Sequence, residues 1–320
     1  MMKNKKALFF IALTVICVFV SCFLLNSLEF RLYRLIFNKN AKIGLAVQKD
    51  NRIWVFDKGR QPLLSVFKYI VALKVLAKLD KENISLNKKL EISKSMIDED
   101  LYSPMLNKYK KLPFEISIRE LLKYMISESD NNACDILIEY AGGIAAIDSY
   151  IKEIGFKDIE IAVNEKEMNK DIEKQYLNKA SASDMVKLIK KGYEGGLLSK
   201  NSTDYLVKIM LETKTGQDKL KAGLPEGVLT GHKTGSSSRK SNGIKIADND
   251  AGFVILPRGG VYYIAVFIQD SSLSDSENAD LIRSISQLVY EYFCKRTHGL
   301  ISCYRWFDYF GQHKFKILNK

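Results

Sequence analysis

The sequence predicts a mixed α/β protein of the α+β kind: an antiparallel five-stranded sheet flanked by helices, with an all-helical lobe beside it. Three observations carry this. Alternating apolar runs stand at both ends of the central region, helical periodicity fills the stretch between them, and no internal repeat or low-complexity segment interrupts either. With 320 residues, 47% of them hydrophobic and only 5 prolines, there is apolar material for one large core or two modest ones.

The chain starts "MMKNKKALFFIALTVICVFVSCFLL", lysines followed by an apolar run and small residues, the layout of an export signal. Residues 1–25 are read as a signal peptide or a membrane anchor. "FVSC", ending at Cys22, resembles a lipoprotein box with Phe19 where leucine is usual, so lipidation at Cys22 is a third reading. Residues 26–40, with "LEFRLYRLIF", form an amphipathic linker or helix. "KIGLAVQ" and "RIWVFDKG", separated by "KDN", read as a β-hairpin. Six helical stretches follow, from "VFKYIVALKVLAKLD" to "STDYLVKIMLETKTG", several of them stopping at glycine. Strands return with "GVLTGHKTG", "DAGFVILP" and "VYYIAVFIQ", and "SENADLIRSISQLVYEYF" supplies a final helix. Strands at both ends must meet in one sheet. The main folded domain is therefore placed at 41–293, with a sheet lobe of 41–64 and 212–293 and a helical lobe of 65–211. Residues 294–320 form an atypical basic and aromatic tail.

The formal charge is +12, but it sits at the ends. Residues 1–40 and 294–320 each carry +5, which leaves +2 for residues 41–293. That distribution favours attraction of the termini to an anionic membrane and argues against a nucleic-acid-binding domain. The 5 cysteines suggest no disulfide framework, and the three histidines, at 232, 298 and 313, have no metal-ligand spacing. No metal or cofactor is implied.

Ser-x-x-Lys occurs at Ser65, Ser85, Ser149 and Ser237. Only Ser65 heads a run apolar on most sides, "PLLSVFKYIVAL", where a helix start offers free backbone N–H groups and Lys68 lies one turn on, on the same face. A serine there is commonly just a cap, but a cap does not explain a lysine inside an apolar helix, where an unpaired ammonium is costly. Ser129-Asp130-Asn131 falls at a break between two helices. Lys-Thr-Gly occurs twice. At Lys214 to Gly216 it reads as a helix end with a glycine cap, whereas Lys233-Thr234-Gly235 lies on a predicted strand that can line a cleft.

In this order the three motifs resemble those of the class A serine β-lactamases and the penicillin-binding proteins, over about residues 41–293. The resemblance implies acyl transfer through Ser65. Lys68, or a glutamate acting through water, takes the proton; the backbone N–H groups of Ser65 and Ser236 hold the oxyanion, worth about 3 kcal/mol; Ser129 protonates the leaving nitrogen. Lys233, Thr234 and Gly235 form the carboxylate-binding wall, and Asn131 takes the side-chain amide. A hydrolase also needs a glutamate for deacylation, with an asparagine four residues later. Glu160 with Asn164 and Glu165 with Asn169 both fit; Glu165 has the separation from Asn131 that the family leads one to expect, and "NEKEMNKDIEKQYLN" resembles the loop of the Bacteroidetes and extended-spectrum subgroup. Tyr102, in Tyr102-Ser103-Pro104, matches a tyrosine at the cleft mouth.

The family's arginine on the strand after Lys-Thr-Gly has no clear equivalent, Asn242 standing near that point, and Lys219 is the candidate cation in its stead. Leu64 and Ser237 occupy the places of a disulfide found in carbapenem-hydrolysing relatives. The expected substrates are cephalosporins and penicillins, acted on by an exported, periplasmic monomer, with a possible tether through the N-terminal segment. Two other readings remain at this stage: a penicillin-binding D,D-peptidase, and a tethered sensor that is acylated without turnover.

Overall fold

The computed structural model describes residues 27–296; the predicted export segment and nearly all of the basic, aromatic tail lie outside them. The strands are β1 (Lys42–Lys49), β2 (Arg52–Phe56), β3 (Gln61–Pro62), β4 (Lys89–Ile92), β5 (Phe114–Ser117), β6 (Lys179–Ala180), β7 (Thr230–Ser236), β8 (Lys245–Ile255) and β9 (Val261–Ser271). Five of them form the main sheet in the order β2-β1-β9-β8-β7, with every neighbour antiparallel. The two ends of the described chain thus meet as β1 against β9, with Ala46 opposite Ala265.

Strand periodicity divides the core. Leu45, Val47, Ile264 and Val266 face α1 (Leu28–Ile36) and α10 (Asp275–Arg296), while Ala46, Phe253, Tyr263 and Phe267 face α8 (Ala182–Tyr193). α1 starts where the Ser27 side chain accepts a hydrogen bond from the Phe30 N–H, and it buries Leu28 and Leu32 completely. The amphipathic stretch is therefore an integral layer of the sheet lobe, and the packed unit begins before residue 41. α8, inside the predicted helical lobe, covers one face of the sheet and joins the two halves.

The other helices are α2 (Lys68–Glu82), α3 (Pro104–Lys108), α4 (Ile118–Ser127), α5 (Asn131–Ala141), α6 (Ile144–Glu153), α7 (Glu165–Lys170) and α9 (Lys200–Leu211). α2 is the centre of the helical lobe. Its first six residues, Lys68 to Leu73, are all buried, at about 1.5–3 kcal/mol for each large aliphatic side chain. It ends at Asn83 in the left-handed conformation.

Two local expectations need correcting, and two short ribbons were not expected. The first Lys-Thr-Gly does not end a helix: α9 stops at Leu211, and Lys214 to Gly216 form the loop after it. "NEKEMNK", expected as part of a loop, contains α7, whose capping box pairs the Asn164 side chain with the Glu167 N–H and the Glu167 carboxylate with the Asn164 N–H. The β3–β6 and β4–β5 ribbons are too short to leave a period in the sequence.

Candidate active site

Ser65 lies inside a 3-10 turn, Leu64–Phe67, and α2 proper starts at Lys68, so the serine stands just ahead of the helix and not at its cap. Leu64 has φ +46°, unfavourable for a residue with a β-carbon. Packing holds it there. Leu64 is buried against Ile246 and Ala247, and the Asn249 side chain donates to the carbonyls of Pro62 (2.7 Å) and Leu63 (3.2 Å). β7 runs directly over this turn. A β-carbon on Gly235 would lie 2.5 Å from Leu63 O and 3.0 Å from Ser65 N, so only glycine lets the strand come this close.

Lys68 is fully buried, and its ammonium is surrounded by acceptors: Asn131 Oδ1 at 2.6 Å, the Ser129 carbonyl at 2.7 Å, Glu165 Oε1 at 2.9 Å and Ser129 Oγ at 3.4 Å. These contacts answer the cost of a charge in an apolar helix. The Ser65 hydroxyl donates to Glu165 Oε1 at 3.3 Å, so one carboxylate oxygen joins nucleophile and lysine. The expected approach of Lys68 to the serine thus takes place through Glu165.

Ser129 has φ +59°, which turns its carbonyl towards Lys68 and its hydroxyl towards Lys233, 2.9 Å away. Asp130, fully buried, serves the scaffold: it caps α5 through the Ala133 N–H and accepts from Ser103 Oγ and the Met105 N–H. That fixes the segment carrying Tyr102, whose carbonyl accepts from the Asn131 N–H. Tyr102 is exposed at the mouth of a cleft of about 500 Å³ lined also by Ser65, Ser129, Asn131, Thr234 and Ser236.

Of the two Glu-x-x-x-Asn pairs, the structure brings Glu165 to Ser65. Glu160 lies outside, paired with Arg60 and Lys179, and Asn164 caps α7. Asn169, one turn after Glu165 on α7, is exposed. Two residues that sequence reasoning passed over do position Glu165. The Asp135 carboxylate accepts from the N–H groups of Glu165 (2.9 Å) and Lys166 (3.0 Å). Burial pushes its acid up to about 7, against the pull of those two bonds. Asn178, fully buried, closes the neck of the loop: its Oδ1 accepts from Ala162 N and Val163 N, its Nδ2 donates to Val163 O, and its own carbonyl accepts from Leu63 N. Asp135 sits one turn after Asn131 on the same helix, a spacing that could have flagged it.

At the other end of the cleft Lys233 is buried, with burial and then the Lys68 ammonium holding it well below the ordinary lysine range. The Thr234 hydroxyl bonds that of Thr215, from the first Lys-Thr-Gly copy, at 2.7 Å. Lys219 reaches the cleft, 2.9 Å from Ser236 Oγ and paired with Asp248. Asn242 is exposed in a turn; the cation on the strand is Lys245, buried in the cleft wall and 3.0 Å from Asp275. Its distance from Lys-Thr-Gly, across an exposed turn, hid it from the sequence reading.

A family profile described as "Beta-lactamase enzyme family" matches residues 28–293. A β-lactamase of Bacteroides uniformis is 44% identical over 89% of this chain and 99% of its own, and β-lactamase VEB-1 of Pseudomonas aeruginosa 35% identical over 85% and 92%. Among solved structures, a class A β-lactamase of Bacteroides cellulosilyticus superposes with a TM-score of 0.81 at 45% identity, covering 83% of this chain and 96% of that one. The TLA-1 extended-spectrum β-lactamase gives 0.82 at 41%, covering 84% and 98%. With its motifs gathered on one cleft and likeness along nearly the full length of these proteins, the chain belongs to the β-lactamase enzyme family, as a class A member and a hydrolase of β-lactams.

Proposed function

We propose that the protein opens the β-lactam ring by forming and hydrolysing an ester on Ser65. The observation that carries this is the shared oxygen: Glu165 Oε1 lies 3.3 Å from Ser65 Oγ and 2.9 Å from Lys68 Nζ. Glu165 is the group within reach of the serine proton, and Lys68 stabilises the carboxylate before transfer. The hydroxyl oxygen attacks the lactam carbonyl, whose oxyanion is received by the N–H groups of Ser65 and Ser236, on the two segments that Gly235 allows to meet. Ser129, in contact with both Lys68 and Lys233, passes its proton to the departing ring nitrogen and is reprotonated from Glu165 through Lys68, which leaves the carboxylate ionised again. Glu165 then takes a proton from water as it attacks the ester and returns that proton to Ser65 Oγ, which leaves as the hydroxyl. Lys233, Thr234 and Lys219 receive the ring carboxylate, and Asn131 the side-chain amide.

The exported location belongs to the same proposal. It is supported by the lysine-led apolar start of the sequence, and the work is done by a monomer in the periplasm, tethered if that segment is retained. Multiple-turnover kinetics with nitrocefin test the reading: hydrolysis continuing far beyond one equivalent supports it, while a burst of one equivalent followed by arrest points to a D,D-peptidase or a sensor and overturns it.

A further inference from the structure

Asp248, on β8 directly opposite Ser236 of β7, is 2% exposed and faces the same cleft as Ser65. Its Oδ1 accepts from the Ser236 hydroxyl at 2.6 Å and pairs with Lys219, while Lys219 Nζ also lies 2.9 Å from Ser236 Oγ. Its Oδ2 is 4.0 Å from Lys245 Nζ, and Lys245 is bonded to Asp275. Both cations at this end of the cleft therefore already have an acidic partner, and the serine hydroxyl already has an acceptor.

We infer that Asp248 is a specificity-determining residue: it occupies Lys219 and Ser236 in the free enzyme, so that a substrate carboxylate must share these donors with a buried like charge. The inference rests on the β-lactam reading of the cleft. A carboxylate held by Lys233 and Thr234 lies beside Ser236 on the same strand, and there it meets an ion pair in place of a free ammonium. Attraction to Lys219 is offset by repulsion from Asp248. The subsite consequently suits β-lactams with a single ring carboxylate, penalises a second anion nearby, and separates an acid from its ester less sharply than an unpaired lysine would. A purely structural Asp248, bracing β7 against β8, would leave no such signature.

Steady-state kinetics with benzylpenicillin and its methyl ester, on the full chain and the variants Asp248→Asn, Lys219→Met and the two combined, test this. For the acid, Asp248→Asn should lower KM about fivefold, with kcat moving less than KM. Lys219→Met leaves Asp248 uncompensated and should raise KM about tenfold, and the double variant should bring it back to within about twofold of the parent. The ester should show none of these shifts. A KM that rises in Asp248→Asn, or a double variant no better than Lys219→Met, overturns the inference. Should Asp248→Asn fail to fold, Lys219→Met decides alone: its KM should rise for the acid and not for the ester, and an equal rise for both is contrary. Absence of turnover of both benzylpenicillin and nitrocefin by the parent would instead sink the β-lactamase reading itself.

Discussion

The cleft carries a serine, a lysine and a carboxylate at each end, and in both places the acid shares one oxygen with the other two. At Ser65 the shared atom is Glu165 Oε1, 3.3 Å from the hydroxyl and 2.9 Å from Lys68 Nζ; at Ser236 it is Asp248 Oδ1, 2.6 Å from the hydroxyl and paired with Lys219. Both ion pairs are nearly dry. Their surroundings differ. Ser65 is presented by a turn with a left-handed Leu64, at the point where Gly235 lets a strand approach, and its acid comes from a loop that has a water-facing side. Ser236 lies on a regular strand, and its acid is fixed on the adjoining strand with Lys245 near its second oxygen. Serine, lysine and a carboxylate make a nucleophile only where the backbone places N–H donors and a free approach beside the hydroxyl; on a regular strand they make a charge-balanced wall.

Changing the two serines gives the widest separation. Ser65→Ala should lower kcat by at least about 10⁴-fold, whereas Ser236→Ala, which keeps its backbone N–H, should shift KM only a few-fold. Comparable losses in the two variants would erase the distinction. The Ser65 side of the comparison is sharpened by Asn178→Ala, which strands the Ala162 and Val163 N–H groups and the Val163 carbonyl. The expected cost is about 3 kcal/mol in denaturant melts, with deacylation slowed more than acylation in pre-steady-state traces. An unchanged midpoint would mean the loop neck is held by something else.

A smaller effect concerns Asp135. Its folded-state acid is raised from 3.8 to about 7, so the native chain keeps a proton that the unfolded chain has lost. That contribution is fully present below about pH 4, is lost as pH rises and is gone above about pH 7. Asp135→Asn, which retains an acceptor for the Glu165 N–H, should flatten the decline in urea midpoint between pH 4 and pH 7. An equally steep decline in the variant would show that other groups set it.

The sheet order, the helical lobe and the three motifs were legible because each leaves a local mark: periods of 2 and 3.6, and short triplets in a fixed order. Glu165 was legible only through family likeness, since nothing in "NEKEMNK" itself separates it from Glu160; the selection is made by Asp135 and Asn178, which are 30 and 13 residues away. Asn169 came from the same likeness, and α7 keeps it one turn from Glu165. Lys245 and Asp248 were missed because their role depends on register across the Arg239 to Ile244 turn, and a shift of one residue there would reverse which side chains face the cleft.

Intact-mass spectrometry of Glu165→Ala mixed with a cephalosporin tests most directly whether that carboxylate drives deacylation. One adduct per chain, mapped to Ser65 and persisting while turnover falls about 10³-fold, is the expected result. Normal turnover by the variant, or an adduct that clears as fast as in the parent, would contradict it.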